Sequence, residues 1–153
     1  MKIAIGADHG GFAMKEMLKG YLKELGHEPV DFGAHSAERC DYPDFAFLVG
    51  SAVATKSCDE GIIVDAVGIG SSIMANKIPG VRAAVANEIY SARNSKLHNG
   101  ANVLCLGSLI IGEGVAKEIV KLWLETKLSG DRNISRVNMI VDFEKRLNEN
   151  RMK

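Results

Sequence analysis

Five short strand candidates, four of them apolar runs, separated by helix-period segments constrain this chain more than any other feature. They occupy residues 2–7, 27–32, 61–65, 81–86 and 102–107. After the first, Phe12, Met14, Met17, Leu18, Tyr21, Leu22 and Leu25 recur at mostly three- and four-residue spacing among lysines and glutamates. That is the pattern of an amphipathic helix, and Gly26 supplies its C-terminal stop. Pro43 and Asp44 suit the start of a second helix with Phe45, Phe47, Leu48, Val49, Ala52 and Val53 on its buried side. Further helices are expected just after Gly70, over 89–97, and from near Gly112, where Ile119, Val120, Trp123 and Leu124 mark the apolar face. Such alternation predicts one α/β domain over residues 1–153, a five-stranded parallel sheet with helices on both faces and right-handed crossovers. With strand order 2-1-3-4-5 the order reverses between strands one and three, and ligands of such sheets bind there, beyond the C-terminal ends of the strands.

Residues 129–153 depart from the alternation. Val137, Ile140, Val141 and Leu147 form a narrow apolar stripe on an otherwise charged helix, which predicts an arm packed on the body or on another subunit, and hence a homo-oligomer. The formal net charge of zero lacks the basic excess of a nucleic-acid binder. No apolar run approaches the roughly 20 residues a membrane-spanning helix needs. The first run meets Asp8 and His9 at once, unlike a signal peptide. Cys40, Cys58 and Cys105 are odd in number and form no CxxC, so neither a disulfide framework nor a zinc site is suggested. The expected location is cytoplasmic, with no nucleic-acid and no membrane partner.

The most informative stretch is 61–80. A strand buried on both faces ends on Asp65, and Gly68, Gly70, Ser71 and Ser72 lead into a helix that Pro79-Gly80 interrupts after a couple of turns. The dinucleotide fingerprint would need a third glycine and a full crossover helix, which argues against a nucleotide. The loop amides suit an oxyanion or the polar end of a small substrate; a purely structural tight turn is the other reading. Asp65 is likewise either an acceptor for loop N–H groups or a carboxylate of the site. Asp8 and His9 follow the first strand, so this topology brings them to the same crevice as Asp65. His98 and Asn99 end the fourth helix, where His98 also suits the helix dipole. Arg132 and Arg136, four apart, point the same way at a helix start, as a phosphate clamp or as solvated side chains.

Ala7-Asp8-His9-Gly10-Gly11-Phe12, Gly68-Ile69-Gly70 leading into residues 75–84, His98-Asn99 with Ala101-Asn102, and Arg132 with Arg136-Val137 together resemble the type B ribose-5-phosphate isomerases, a family that includes the galactose-6-phosphate isomerase subunits. The matches run in the right order over nearly the whole chain. The resemblance implies a Rossmann-like three-layer sandwich, no metal or organic cofactor, and a homodimer, or a tetramer of paired dimers, with active sites at the subunit interface. It implies that His98 helps open the furanose ring and that Asp8 and Asn99 bind or shuttle protons among the sugar oxygens. His9, Arg132 and Arg136 would hold the phosphate, and the amides around Gly68, Gly70 and Ser71 would stabilise an enediolate.

The departures matter as much. Many members carry a cysteine base after the third strand, where this chain has Asp65-Ala66-Val67-Gly68, and others carry a glutamate at the position of Ser71. Asn133 replaces a histidine and Asn87 another polar residue. The Asp-Ala-x-Gly pattern is similar to the A subunit of galactose-6-phosphate isomerase. The expectation is therefore an aldose–ketose isomerase, most simply of ribose 5-phosphate, in which Asp65 replaces the cysteine. The alternatives are an isomerase of galactose 6-phosphate or another phosphosugar, and a phosphosugar-binding subunit that needs a companion chain.

Overall fold

The structure is a computed structural model that describes residues 1–151. Its first strand, β1 (Lys2–Ala7), is followed by α1 (Phe12–Glu24), β2 (Glu28–Asp31), α2 (Tyr42–Ala54), β3 (Glu60–Asp65) and the short α3 (Ile69–Ala75). Then come β4 (Ala83–Val85), α4 (Ile89–Leu97), β5 (Val103–Gly107), α5 (Glu113–Glu125) and the long α6 (Asp131–Arg151). All strand pairings are parallel, giving the five-stranded α/β sheet that the alternation predicts.

Side chains of successive strand residues point to opposite faces, so each buried strand feeds two cores. Ile3, Ile5, Ile62, Val64, Leu104 and Leu106 pack under α1, α4 and α5, around the fully buried Trp123. Ala4, Ile63, Val103 and Cys105 pack under α2 and α3. The start of α1 lies so close to β3 that a Cβ on Gly11 would sit 2.1 Å from the Val64 carbonyl oxygen.

The order is β2-β1-β3-β5-β4, so the last two strands exchange places relative to the expected 2-1-3-4-5. The reason is burial. An interior strand needs apolar side chains on both faces, and β5, reading VLCLG, is buried throughout. Three-residue β4, reading AAV, is only half-buried and takes the edge. The reversal between β1 and β3 survives the exchange, and with it the crevice beyond their C-terminal ends.

Helix α6 leaves the sandwich. Val137 is buried, and Glu144 Oε2 accepts the Gly80 N–H at 2.8 Å. Ile134, Met139, Ile140, Phe143 and Leu147 stay exposed, and a groove of about 440 Å³ separates the helix from Asn76, Lys77 and Pro79.

Candidate functional site

The polar residues singled out from sequence fall into two clusters at opposite poles of the sheet. The first gathers where strands end. Asp8 follows β1, is nearly buried, and accepts the Gly11 N–H on Oδ1 at 3.0 Å. His9 is exposed, with Nδ1 3.0 Å from the Cys40 carbonyl oxygen. The Ser108 hydroxyl, just past β5, donates to the Gly10 carbonyl at 2.8 Å, tying the β1 and β5 ends together.

Asp65 ends β3 in the middle of this pole, 4% exposed. Its Oδ1 accepts the N–H of Val67 at 2.8 Å and that of Gly68; its Oδ2 accepts the Ser71 N–H at 3.1 Å and the Ser71 hydroxyl at 2.5 Å. A carboxylate has about four lone-pair sites, and here all are engaged. This geometry is that of a loop anchor. Two of the three expected oxyanion amides, those of Gly68 and Ser71, therefore face Asp65. Ile69 and Gly70 are left as the α3 amides without a partner among the described residues. Gly68 adopts the left-handed conformation at φ 84°, which a side chain would resist, and its missing Cβ lets the loop approach the Cys105 carbonyl.

Two further residues close the loop. Asn87 Nδ2 donates to the Val67 carbonyl at 3.2 Å while Asn87 Oδ1 accepts the Gly107 N–H at 2.7 Å, stitching β4, the loop and β5 together. The ring of Tyr42 packs on Gly70, where a Cβ would come within 2.6 Å of it. The sequence marks Asn87 only as a substitution, and nothing in its local pattern marks Tyr42, since the contact spans 28 residues of chain from one helix start to another.

Neither buried cysteine serves this pole as a thiolate. Burial, reinforced by the nearby Asp65 charge, pushes the Cys105 thiol far up, and burial raises Cys58 as well. Among the described residues no cluster of His, Cys, Asp and Glu could hold a metal ion.

The second cluster lies where strands begin. Helix α4 runs back along the sheet and delivers exposed His98 and Asn99 to the turn that feeds β5. There the Gly100 carbonyl accepts from Arg82 Nε at 2.9 Å, and the Leu97 carbonyl accepts the Ser129 N–H at 3.2 Å. That second bond seats the start of α6, with exposed Arg132 and Arg136, beside the turn. The side chains of His98, Asn99, Arg132 and Arg136 make no hydrogen bond among the described residues. At about 3.3 Å per residue, a strand of five or six residues holds the two clusters well over 10 Å apart. One chain brings Asp8, His9, Asp65, Gly68, Gly70 and Ser71 together. It does not bring His98, Asn99, Arg132 or Arg136 to them.

A parallel α/β sandwich with a glycine-bearing loop at its switch point defines the class of α/β domains that take small ligands beyond the C-terminal ends of their strands. Comparison with known proteins makes the class specific. A family model described as Ribose/Galactose Isomerase matches residues 3–140, and the chain belongs to that family. Ribose-5-phosphate isomerase B of Escherichia coli is 46% identical over 147 residues, covering 96% of this chain and 99% of that protein. The solved Clostridium thermocellum ribose-5-phosphate isomerase B superposes with a TM-score of 0.93 at 46% identity, covering 96% and 99% of the two chains. The Mycoplasma genitalium enzyme, solved with bound ribulose 5-phosphate, superposes with a TM-score of 0.90 at 36% identity, covering 94% and 96%.

Proposed function

We propose that this protein interconverts ribose 5-phosphate and ribulose 5-phosphate through an enediolate, in sites that each combine the strand-end pole of one copy with the strand-start pole of another. Family membership makes it a sugar-phosphate isomerase, and its relatives bearing the ribose-5-phosphate name cover nearly the full chain. One observation carries the divided site: His98, Asn99, Arg132 and Arg136 lie exposed and unbonded at the pole away from Asp8 and His9. A homodimer with two such sites, in the cytoplasm, is the simplest assembly.

In that site the phosphate sits between His9 of one copy and the arginine pair of the other, where bidentate guanidinium contacts suit it. His98 delivers the proton that opens the furanose ring, and Asn99 and Asp8 hold the sugar oxygens. A base then removes the C2 proton of the open aldose and the electron pair moves toward C1=O to form the enediolate; the hydroxyl proton passes from O2 to O1, and the base returns its proton at C1 to leave the ketose. The Gly70 amide, with its neighbour Ile69, is aimed at the developing oxyanion.

The residue at the position of the family's cysteine is Asp65, and it takes the base role in this scheme once the Ser71 hydroxyl rotates off Oδ2. Asp65→Asn tests it. As a base, its loss abolishes turnover while inorganic phosphate still competes with unchanged affinity. Loss of phosphate affinity together with turnover, and a lowered melting temperature, would show that Asp65 acts as the loop's anchor alone.

A second reading follows from the engagement of all four Asp65 lone-pair sites. The chain would then bind a phosphosugar and depend on a companion subunit for the base. Assay of the purified homo-oligomer on ribose 5-phosphate, galactose 6-phosphate and a tetrose 4-phosphate separates the readings. Robust turnover by the homo-oligomer removes the second reading, and the preferred sugar identifies the substrate.

A further inference from the structure

We infer that two buried lysines, Lys15 and Lys96, are positioning residues, each fastening the turn that carries one half of the divided site. The inference rests on the reading of a site shared between two copies.

Lys15 sits on α1 with its side chain fully buried, a position where packing alone would select an apolar residue. Its Nζ lies 2.9 Å from both Asp31 oxygens and 2.7 Å from Glu16 Oε1. Asp31 ends β2, and its Oδ1 also accepts the Gly33 N–H at 2.9 Å. From there the chain is zipped to the end of β1. The Ala7 N–H donates to the Gly33 carbonyl at 2.7 Å, and the Ala34 N–H donates to the Ala7 carbonyl at 2.7 Å. Residue 7 is the one before Asp8, and the same segment continues to Cys40, whose carbonyl meets His9 Nδ1. Lys15 thus grips, through one carboxylate, the strand end that aims Asp8 and His9.

Lys96 does the corresponding job at the other pole. It lies in the last turn of α4, nearly buried, with Nζ 3.8 Å from the Trp123 ring centroid and 2.5 Å from Glu60 Oε2. It also donates to the Ala101 carbonyl at 3.0 Å, across the turn that holds His98 and Asn99. The turn is closed beneath it by the Gly100 N–H to the Lys96 carbonyl at 3.1 Å and the Ala101 N–H to the Ser95 carbonyl at 3.0 Å. The ammonium therefore clasps both stems of the turn and ties them to the start of β3.

Lys15→Met and Lys96→Met keep the stems and remove the charges. Because His9 serves the phosphate, the first raises KM for ribose 5-phosphate and the inhibition constant of inorganic phosphate about tenfold, with a smaller fall in kcat through Asp8. Because His98 and Asn99 serve the chemistry, the second lowers kcat about tenfold with little change in KM. Lys96→Arg retains wild-type kcat, since a cavity of about 340 Å³ beside it has room for the guanidinium. If Lys15→Met fails to fold, Asp31→Asn reports on the same link.

Mixing the variants gives the decisive readout. In a mixed dimer one site combines two lesions and the other combines two intact halves, so co-expressed Lys15→Met and Lys96→Met chains at low substrate exceed either variant alone about threefold. A parallel fall of KM performance and kcat with melting temperature, unrescued by arginine, would overturn the proposal. The pair Asp8→Asn and His98→Asn is the control. If it complements and the lysine pair does not, the lysines are not positioning residues although the shared site stands. If the control pair itself fails, the shared site falls and the opposed KM and kcat signatures alone decide the lysine roles.

Discussion

Ser71 gives Asp65 both a backbone N–H and a hydroxyl, and its side chain is fully buried. Removing one buried hydrogen bond to a charged group costs about 1.5–3 kcal/mol. Ser71→Ala is therefore expected to lower stability to urea by about 2 kcal/mol, and a change within a few tenths would mean the hydroxyl is not holding the carboxylate. Asp31 offers a pH test. Burial works against its charge, but the Lys19 and Lys15 ammoniums and the Gly33 amide outweigh it and bring the carboxyl from 3.8 down to about 2. A depressed carboxyl contributes stability that is complete above its unfolded value and is lost as pH falls through the folded one. The stability difference between wild type and Asp31→Asn should hold from neutral pH to about 5, shrink below 4 and nearly vanish near 2. A difference independent of pH would show that the charge is not what Asp31 contributes. Sequence patterning singled out Asp65, as an acceptor for loop N–H groups or as a carboxylate of the site, but not Asp31, which was one acidic residue inside the 27–32 segment.

At the scale of elements, strand and helix existence was legible almost throughout, because periods of two and 3.6 residues follow from backbone geometry. β1 at Lys2–Ala7 and α4 at Ile89–Leu97 match the sequence expectation at both ends. The order of β4 and β5 was not legible, since consecutive strands are neighbours by default and only the competition for the interior slot reverses them. Helix packing sets a further limit at Gly11. A methyl group there would press on the β3 backbone, a clash no side-chain rotation relieves. Gly11→Ala is expected to destabilise by about 3 kcal/mol in urea titrations, at the upper end of overpacking effects. An unchanged midpoint would mean that α1 can shift outward without loss. The arm is the element whose partner the sequence left open. Within the chain, α6 buries Val137 and leaves Ile140, Phe143 and Leu147 exposed along a groove. In the proposed assembly this apolar row, beside Arg132 and Arg136, is the surface that meets the second copy.

For the whole molecule, the separation of the two poles governs what the protein can do. If sites form between copies, activity per chain should fall on dilution as the assembly dissociates, in step with the mass measured by light scattering. Full activity in a monomer would refute the divided site. The sequence by itself determined the alternating α/β class, the residues that carry polar chemistry, and through their order the family. These are local properties, written as spacing and composition. Only the tertiary structure decided that Asp65 is wrapped by its own loop, that β5 lies inside β4, and that His98 stands a strand length away from Asp8. Each of those depends on which segments, distant along the chain, compete for the same buried space, and no local pattern records that competition. The strand-to-loop stretch at Asp65 shows the division most clearly: its spacing announced a ligand-sized turn, while the hydrogen bonds that fill the turn are set by packing between β3, α3 and β5.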